Sequence, residues 1–123
     1  MKNSWKKRHV RTTNNYKITE DETSPIITHY ERKMRLRHHK YIDKETGKKN
    51  EIYLYIGVMP SYTSNYKYWH YRIAAISSKG VVVGQFDSER DAGLVYDTKE
   101  EAKTAVIKNY KRWLENLPRV IRT

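Results

Sequence analysis

From Tyr30 to Ile42 the chain alternates with a period of two: Met34, Leu36 and Ile42 fall on even positions, while Lys33, Arg35, Arg37, His39 and Tyr41 fall on odd ones. Successive side chains of a strand point to opposite faces of a sheet. The alternation therefore predicts a half-buried strand whose outer face is a basic stripe. A second alternating run lies downstream, with Ile52, Leu54, Ile56 and Val58 on one side and Tyr53 and Tyr55 on the other. Between the two runs, residues 43–50 supply the Asp, Gly and Asn expected of a hairpin loop. Together they predict a long antiparallel hairpin with one apolar face and one face of cations and tyrosines. The expectation hangs on register, because a slip by one residue would turn the cations inward.

Further strands are expected at 68–76, after a tyrosine-rich loop, and at 81–86, after the tight turn Ser77-Ser78-Lys79-Gly80. Residues 87–91 read as loop and 94–96 as a short final strand. Thr98-Lys99-Glu100-Glu101 then matches a capping box, in which Thr98 accepts from the Glu101 amide. The helix it opens should run to about Asn116, with Ala102, Ala105, Val106, Tyr110, Trp113 and Leu117 on one face. Leu117-Pro118 stops it. The expected fold is α+β, an antiparallel sheet of four to five strands packed by one C-terminal helix. Its core would bring Val106, Trp113 and Leu117 against Leu54, Ile56, Ile73 and Val83. Trp69 and Tyr71 share a strand face with Ile73 and Ala75 and are expected in the core, which leaves Tyr62 and Tyr66 exposed.

With 123 residues there is room for one domain. Residues 1–25 run from basic (Lys6-Lys7-Arg8-His9) to acidic (Glu20-Asp21-Glu22) without periodicity and read as a flexible charged tail, leaving 26–123 as the single α+β domain. The net charge is +11, of which +8 falls in residues 1–50 and +3 in 51–123. Such a balance suits a phosphate-rich partner, because each cation placed near a phosphate releases condensed counterions. There are no cysteines, which removes disulfides, thiolate nucleophiles and cysteine-based zinc sites. No apolar run approaches the ~20 residues of a membrane span. A cytoplasmic protein without a membrane partner is expected.

Catalytic constellations fall short. His38-His39 with Asn50 and His70 is a poor match to a His-Asn-His nuclease, whose chemistry needs a helix beside the metal ligands. Tyr53-Leu54-Tyr55-Ile56-Gly57 lacks the upstream Gly-Ile-Tyr strand of a GIY-YIG nuclease. Asp87, Asp91 and Asp97 are explained as loop acceptors and helix entry. The chain has only five glycines and no phosphate-cradling glycine loop. No enzyme activity, metal or cofactor is expected.

The segment Tyr96-Asp97-Thr98-Lys99-Glu100-Glu101-Ala102-Lys103-Thr104-Ala105, preceded by strands, resembles the end of the DNA-binding domains of plant ethylene-response factors and recombinase arm-binding domains. Those domains are a three-stranded sheet plus a helix. A local echo, Gly84 to Ala92, offers a competing register one cycle earlier; Gly93-Leu94-Val95 weakens a helix there, which favours the later one. The resemblance implies DNA contact through the sheet, with Trp69, Tyr71, Arg72 and Lys79 near the groove. The long first hairpin is not part of that pattern.

The leading expectation is a small, basic, non-catalytic nucleic-acid-binding protein, DNA rather than RNA, using the first hairpin and the basic tail. Lys33, Arg35, Arg37 and His39 would meet phosphates, Tyr41, Tyr53 and Tyr55 would stack on bases, and Arg72 and Lys79 would add further contacts. The competing reading of the same residues is a solvated sheet face with cross-strand tyrosine–arginine packing. The alternative function is a small accessory factor of phage type that binds an acidic protein surface.

Overall fold

The structure, a computed structural model, describes residues 5–11 and 26–123. Among the described residues, six strands form one antiparallel sheet: β1 Lys6–Arg11, β2 Ile26–Ile42, β3 Lys49–Pro60, β4 Trp69–Ser77, β5 Val82–Asp87 and β6 Val120–Arg122. The first five lie in sequence order across the sheet, each beside its neighbour in the chain. Strand β2 is long because its far edge serves two partners, β1 along residues 26–31 and β6 along residues 39–41. Helix α1 is Ser88–Ala92 and helix α2 is Lys99–Glu115.

The α+β expectation holds, with four corrections, one of which is the unexpected strand β6 after the Leu117-Pro118 stop. Residues 6–11, expected as tail, add an edge strand; the rest of 1–25 lies outside the described residues. Residues 88–92, expected as loop, form a short helix. Asp87 caps it by accepting from the Glu89 and Arg90 amides, and Gly93 at φ 65° ends it. The short strand expected at 94–96 reduces to a single bridge between Trp69 and Tyr96. Both competing helix registers are therefore occupied, the earlier one for barely more than a turn.

Strand pairing follows the alternation. Met34 pairs with Leu54 and Leu36 with Ile52, while Ile56 pairs with Ile73 and Ile73 with Phe86. These side chains share the face on which α2 packs, and Ile52, Leu54, Ala75, Ala102, Val106 and Leu114 have no exposed surface. Tyr71 is buried and Trp69 half-buried against the same core, as the sequence predicts. Trp113 and Leu117 are likewise half-buried, and the C-terminal end of α2 crosses β5 at Gly84. A Cβ there would lie 2.8 Å from Leu117 Cδ1 and 3.3 Å from Trp113 Cζ2, so only glycine fits without displacing the helix contact. Thr98 caps α2 as expected, accepting from the Glu101 amide at 3.1 Å. Among the described residues, no helix is long and apolar enough to cross a membrane.

Candidate nucleic-acid interface

With α2 on one side, the opposite face of the sheet is left open, bordered by the short helix α1 at the end of β5. The register lays out its side chains: Lys33 stands opposite Tyr55, Arg35 opposite Tyr53, Tyr55 opposite Ala74, and Ala74 opposite Gln85. Arg72 lies between Gly57 and Asp87. Strand β1 brings Lys6 opposite Glu31. The ammonium of Lys33 rides 5.1 Å from the Tyr53 ring centre and 5.3 Å from that of Tyr55, within cation–π range.

The expected stripe is not continuous. Leu36 pairs with Ile52, but the next pair is Lys40 with Glu51, so Arg37, His38 and His39 have no partner on β3 and bulge from that ladder, while on the other edge His39 pairs with Arg122 of β6. An odd number of inserted residues inverts a period-two pattern. Beyond the bulge it is Lys40 that stands on the open face, opposite Glu51, while Tyr41 turns to the helix side. His39 and Tyr41, expected among the surface contacts, are 7% and 8% exposed. The His39 Nε2 lies 3.0 Å from a Glu115 carboxylate oxygen of α2, and this contact, with Arg122 nearby, holds Glu115 below the usual carboxylate range. Tyr41 belongs to the core.

Of the other expected residues, Lys33, Arg35, Tyr55 and Arg72 are exposed on the open face and Tyr53 is half-buried there. Arg37 is exposed in the bulge, and Lys79 is exposed in the β4–β5 turn. Trp69 and Tyr71, which the resemblance would bring to DNA, are on the helix side.

A cleft of about 830 Å³ crosses this face, lined by residues from all five consecutive strands and from α1. Its floor is low at Ala74, while the Met59 methyl packs over neighbouring Gly57; Tyr55, Lys33 and Arg72 rise around it, with Lys6 at one end and Gln85 and Arg90 at the other. The acids in the cleft are largely engaged. Glu31 pairs with Arg8 at 3.6 Å. Asp87 takes Arg72 Nε at 2.8 Å and His70 Nδ1 at 3.0 Å. Burial pushes the Asp87 carboxyl up, but the hydrogen bonds from Arg72, the Arg90 amide and His70 outweigh it and hold the group at about 2. The same bonds fix Arg72 over the cleft. Beside it, Arg35 and Glu51 form a short ion pair that raises the arginine and lowers the carboxylate.

Lys6, Gly57, Ala74, Gln85 and Arg90 were not legible as site residues. Lys6 belonged to a segment resembling a tail and Arg90 to an apparent loop; the two small residues carry no chemistry of their own and matter only through their register, Gly57 opposite Arg72 and Ala74 opposite Tyr55. Among the described residues, no three His, Cys, Asp or Glu side chains come together in a way that would hold a metal ion. No protein-family model matches the chain, and comparison with curated proteins and with solved structures gives no significant match.

Proposed function

We propose that this protein is a non-catalytic nucleic-acid-binding protein of the cytoplasm whose contact surface is the open face of the sheet. The observation that carries this reading is the cleft, in which Lys6, Lys33, Arg72 and Arg90 surround a floor bearing an exposed tyrosine. Cations give the sequence-independent attraction to phosphates, and aromatic rings offer every base a stacking surface. Arg35 and the bulged Arg37 extend the positive surface along β2, and the net charge of +11 adds long-range attraction. His39 and Tyr41 are no part of this surface.

Fluorescence anisotropy with labelled oligonucleotides across a salt series tests the proposal. Affinity should fall steeply as salt rises. In Arg35→Ala/Arg37→Ala the slope of log K against log salt should shrink by about 1.4 to 1.8, two contacts at roughly 0.7 to 0.9 each. Absence of binding to DNA and RNA alike at low salt refutes the proposal. Recovery of one stoichiometric protein from a nuclease-treated pull-down would then favour an acidic protein partner.

A further inference from the structure

We infer that the ligand of the open face is single-stranded nucleic acid, with one unpaired base seated in the cleft over Ala74, against Tyr55. The inference rests on the reading of this face as a nucleic-acid surface and narrows it by shape. The cleft is lined from β1 through β5, so it spans four interstrand spacings of ~4.8 Å, about 19 Å across the sheet. The major groove of a duplex is only about 12 Å wide. A three-stranded sheet, about 10 Å across by the same spacing, can lie in such a groove; this five-stranded face cannot. Its hollow also runs the wrong way, because reading a duplex requires an element that protrudes into the groove, whereas here the sheet itself recedes.

A single strand supplies the complementary shape. Its bases are free to swing out from the backbone and insert one at a time, stacked on aromatic rings or guanidinium planes. The cleft volume of about 830 Å³ lies in the range of roughly 300–1,000 Å³ typical of pockets that enclose a small organic ligand. Ala74, with only a methyl group, keeps the floor low enough for a flat ring, and Tyr55, 38% exposed, stands directly opposite it as the stacking partner; the Met59 methyl covers Gly57 and bounds the seat on that side. Arg72 is held by Asp87 at 2.8 Å, so its guanidinium flanks the same space without further ordering. Lys33 lies across the Tyr53 and Tyr55 rings, and no carboxylate partner is found for it among the described residues. A base arriving on Tyr55 would release that ammonium toward the adjoining phosphate. Lys6 and Arg90 at the two ends set the direction of the backbone across the strands.

The test compares one fluorescein-labelled DNA oligonucleotide, its RNA counterpart and the corresponding DNA duplex, using the full chain across one shared salt series. At least one single strand should bind tenfold or more tightly than the duplex. Tyr55→Leu should weaken that binding about 5- to 150-fold, the range expected for loss of one stacked base. Ala74→Leu, which fills the floor without touching a cation, should weaken it at least tenfold while leaving the salt slope unchanged. A fluorescent adenine analogue in the strand should be quenched by the wild type and not by Tyr55→Leu. Thermal melts of both variants confirm that the fold is retained. Duplex binding equal to or tighter than both single strands, or Ala74→Leu binding like the wild type, overturns the inference and leaves the proposed function standing. Failure of every oligonucleotide to bind overturns both.

Discussion

The Asp87 network makes a quantitative prediction about acid stability. Asp87 caps α1 and at the same time holds His70 and Arg72 from β4, so its ionised form is favoured in the folded state. Its carboxyl lies at about 2 in the fold against 3.8 in the unfolded chain. A depressed folded value means that the stabilisation is fully present above the unfolded value and is lost as pH falls through the folded one. At 1.36 kcal/mol per unit the separation corresponds to at most ~2.4 kcal/mol. Arg72 is 61% exposed at the other end of the pair, and solvent screening reduces the yield to roughly 1–2 kcal/mol. Asp87→Asn keeps an acceptor oxygen for the cap while removing the charge, so the comparison isolates the titration. Urea unfolding of both proteins at several pH values between about 5 and about 2 supplies the assay. The stability advantage of the wild type should shrink by roughly 1–2 kcal/mol over that range, with about half gone near pH 3. Glu51 and Glu115, whose lowered values have other causes, cancel in the difference, whereas Asp91 feels the Asp87 charge, which raises it and so offsets part of the expected change. A difference that stays constant with pH would show that Asp87 is not held by these partners and would remove the reason for placing Arg72 over the cleft.

Two further expectations concern the scaffold. Gly84→Ala brings a methyl group against the tip of the Leu117 side chain and the Trp113 ring; because the Leu117 tip can turn aside, the loss of stability should lie at the low end of overpacking, about 1 kcal/mol, and a urea midpoint equal to that of the wild type would mean that Leu117 gives way without cost. Thr98→Ala removes the acceptor for the Glu101 amide and should cost about 1 kcal/mol, read by the same denaturation and accompanied by a small loss of helical circular dichroism.

The regular elements were legible because each carries its own signal. The alternations of β2 and β3 name their core faces, and the Thr98 cap with its amphipathic helix marks the one long helix. What escaped was structure that belongs to pairs of segments. Lys6 to Arg11 is too charged to read as a strand, yet charge is a common guard on an edge strand that would otherwise recruit another chain. Strand β6 is three residues long and exists by pairing with β2. Helix α1 has five residues, too few to display a periodicity, although Asp87 followed by Glu89 and Asp91 was a usable sign of a capped start. The bulge is the deepest case. Nothing in Arg37-His38-His39 announces it, because the event is visible only when β2 is counted against β3.

That bulge also determines how firmly the open face is defined. Leu36 before it and Tyr41 after it are both buried, at 9% and 8% exposure, and both lie on the helix side although their numbers differ by five, which an unbroken alternation forbids. The three residues without partners on β3 reconcile them. Each half of β2 is therefore registered by its own core contacts, Met34 and Leu36 against β3 on one side, Tyr41 together with the His39–Glu115 contact on the other. A slip of one residue in the first half would bury Lys33 and Arg35 beneath α2, and the cost of desolvating even one such charge without a partner is several kcal/mol. The cations of the first half are thus kept on the open face by core packing at Met34 and Leu36, which is a stronger constraint than the alternation that first suggested the stripe. The same logic ends the stripe at the bulge, so the basic surface turns from β2 toward Arg72 and the cleft instead of continuing to Tyr41.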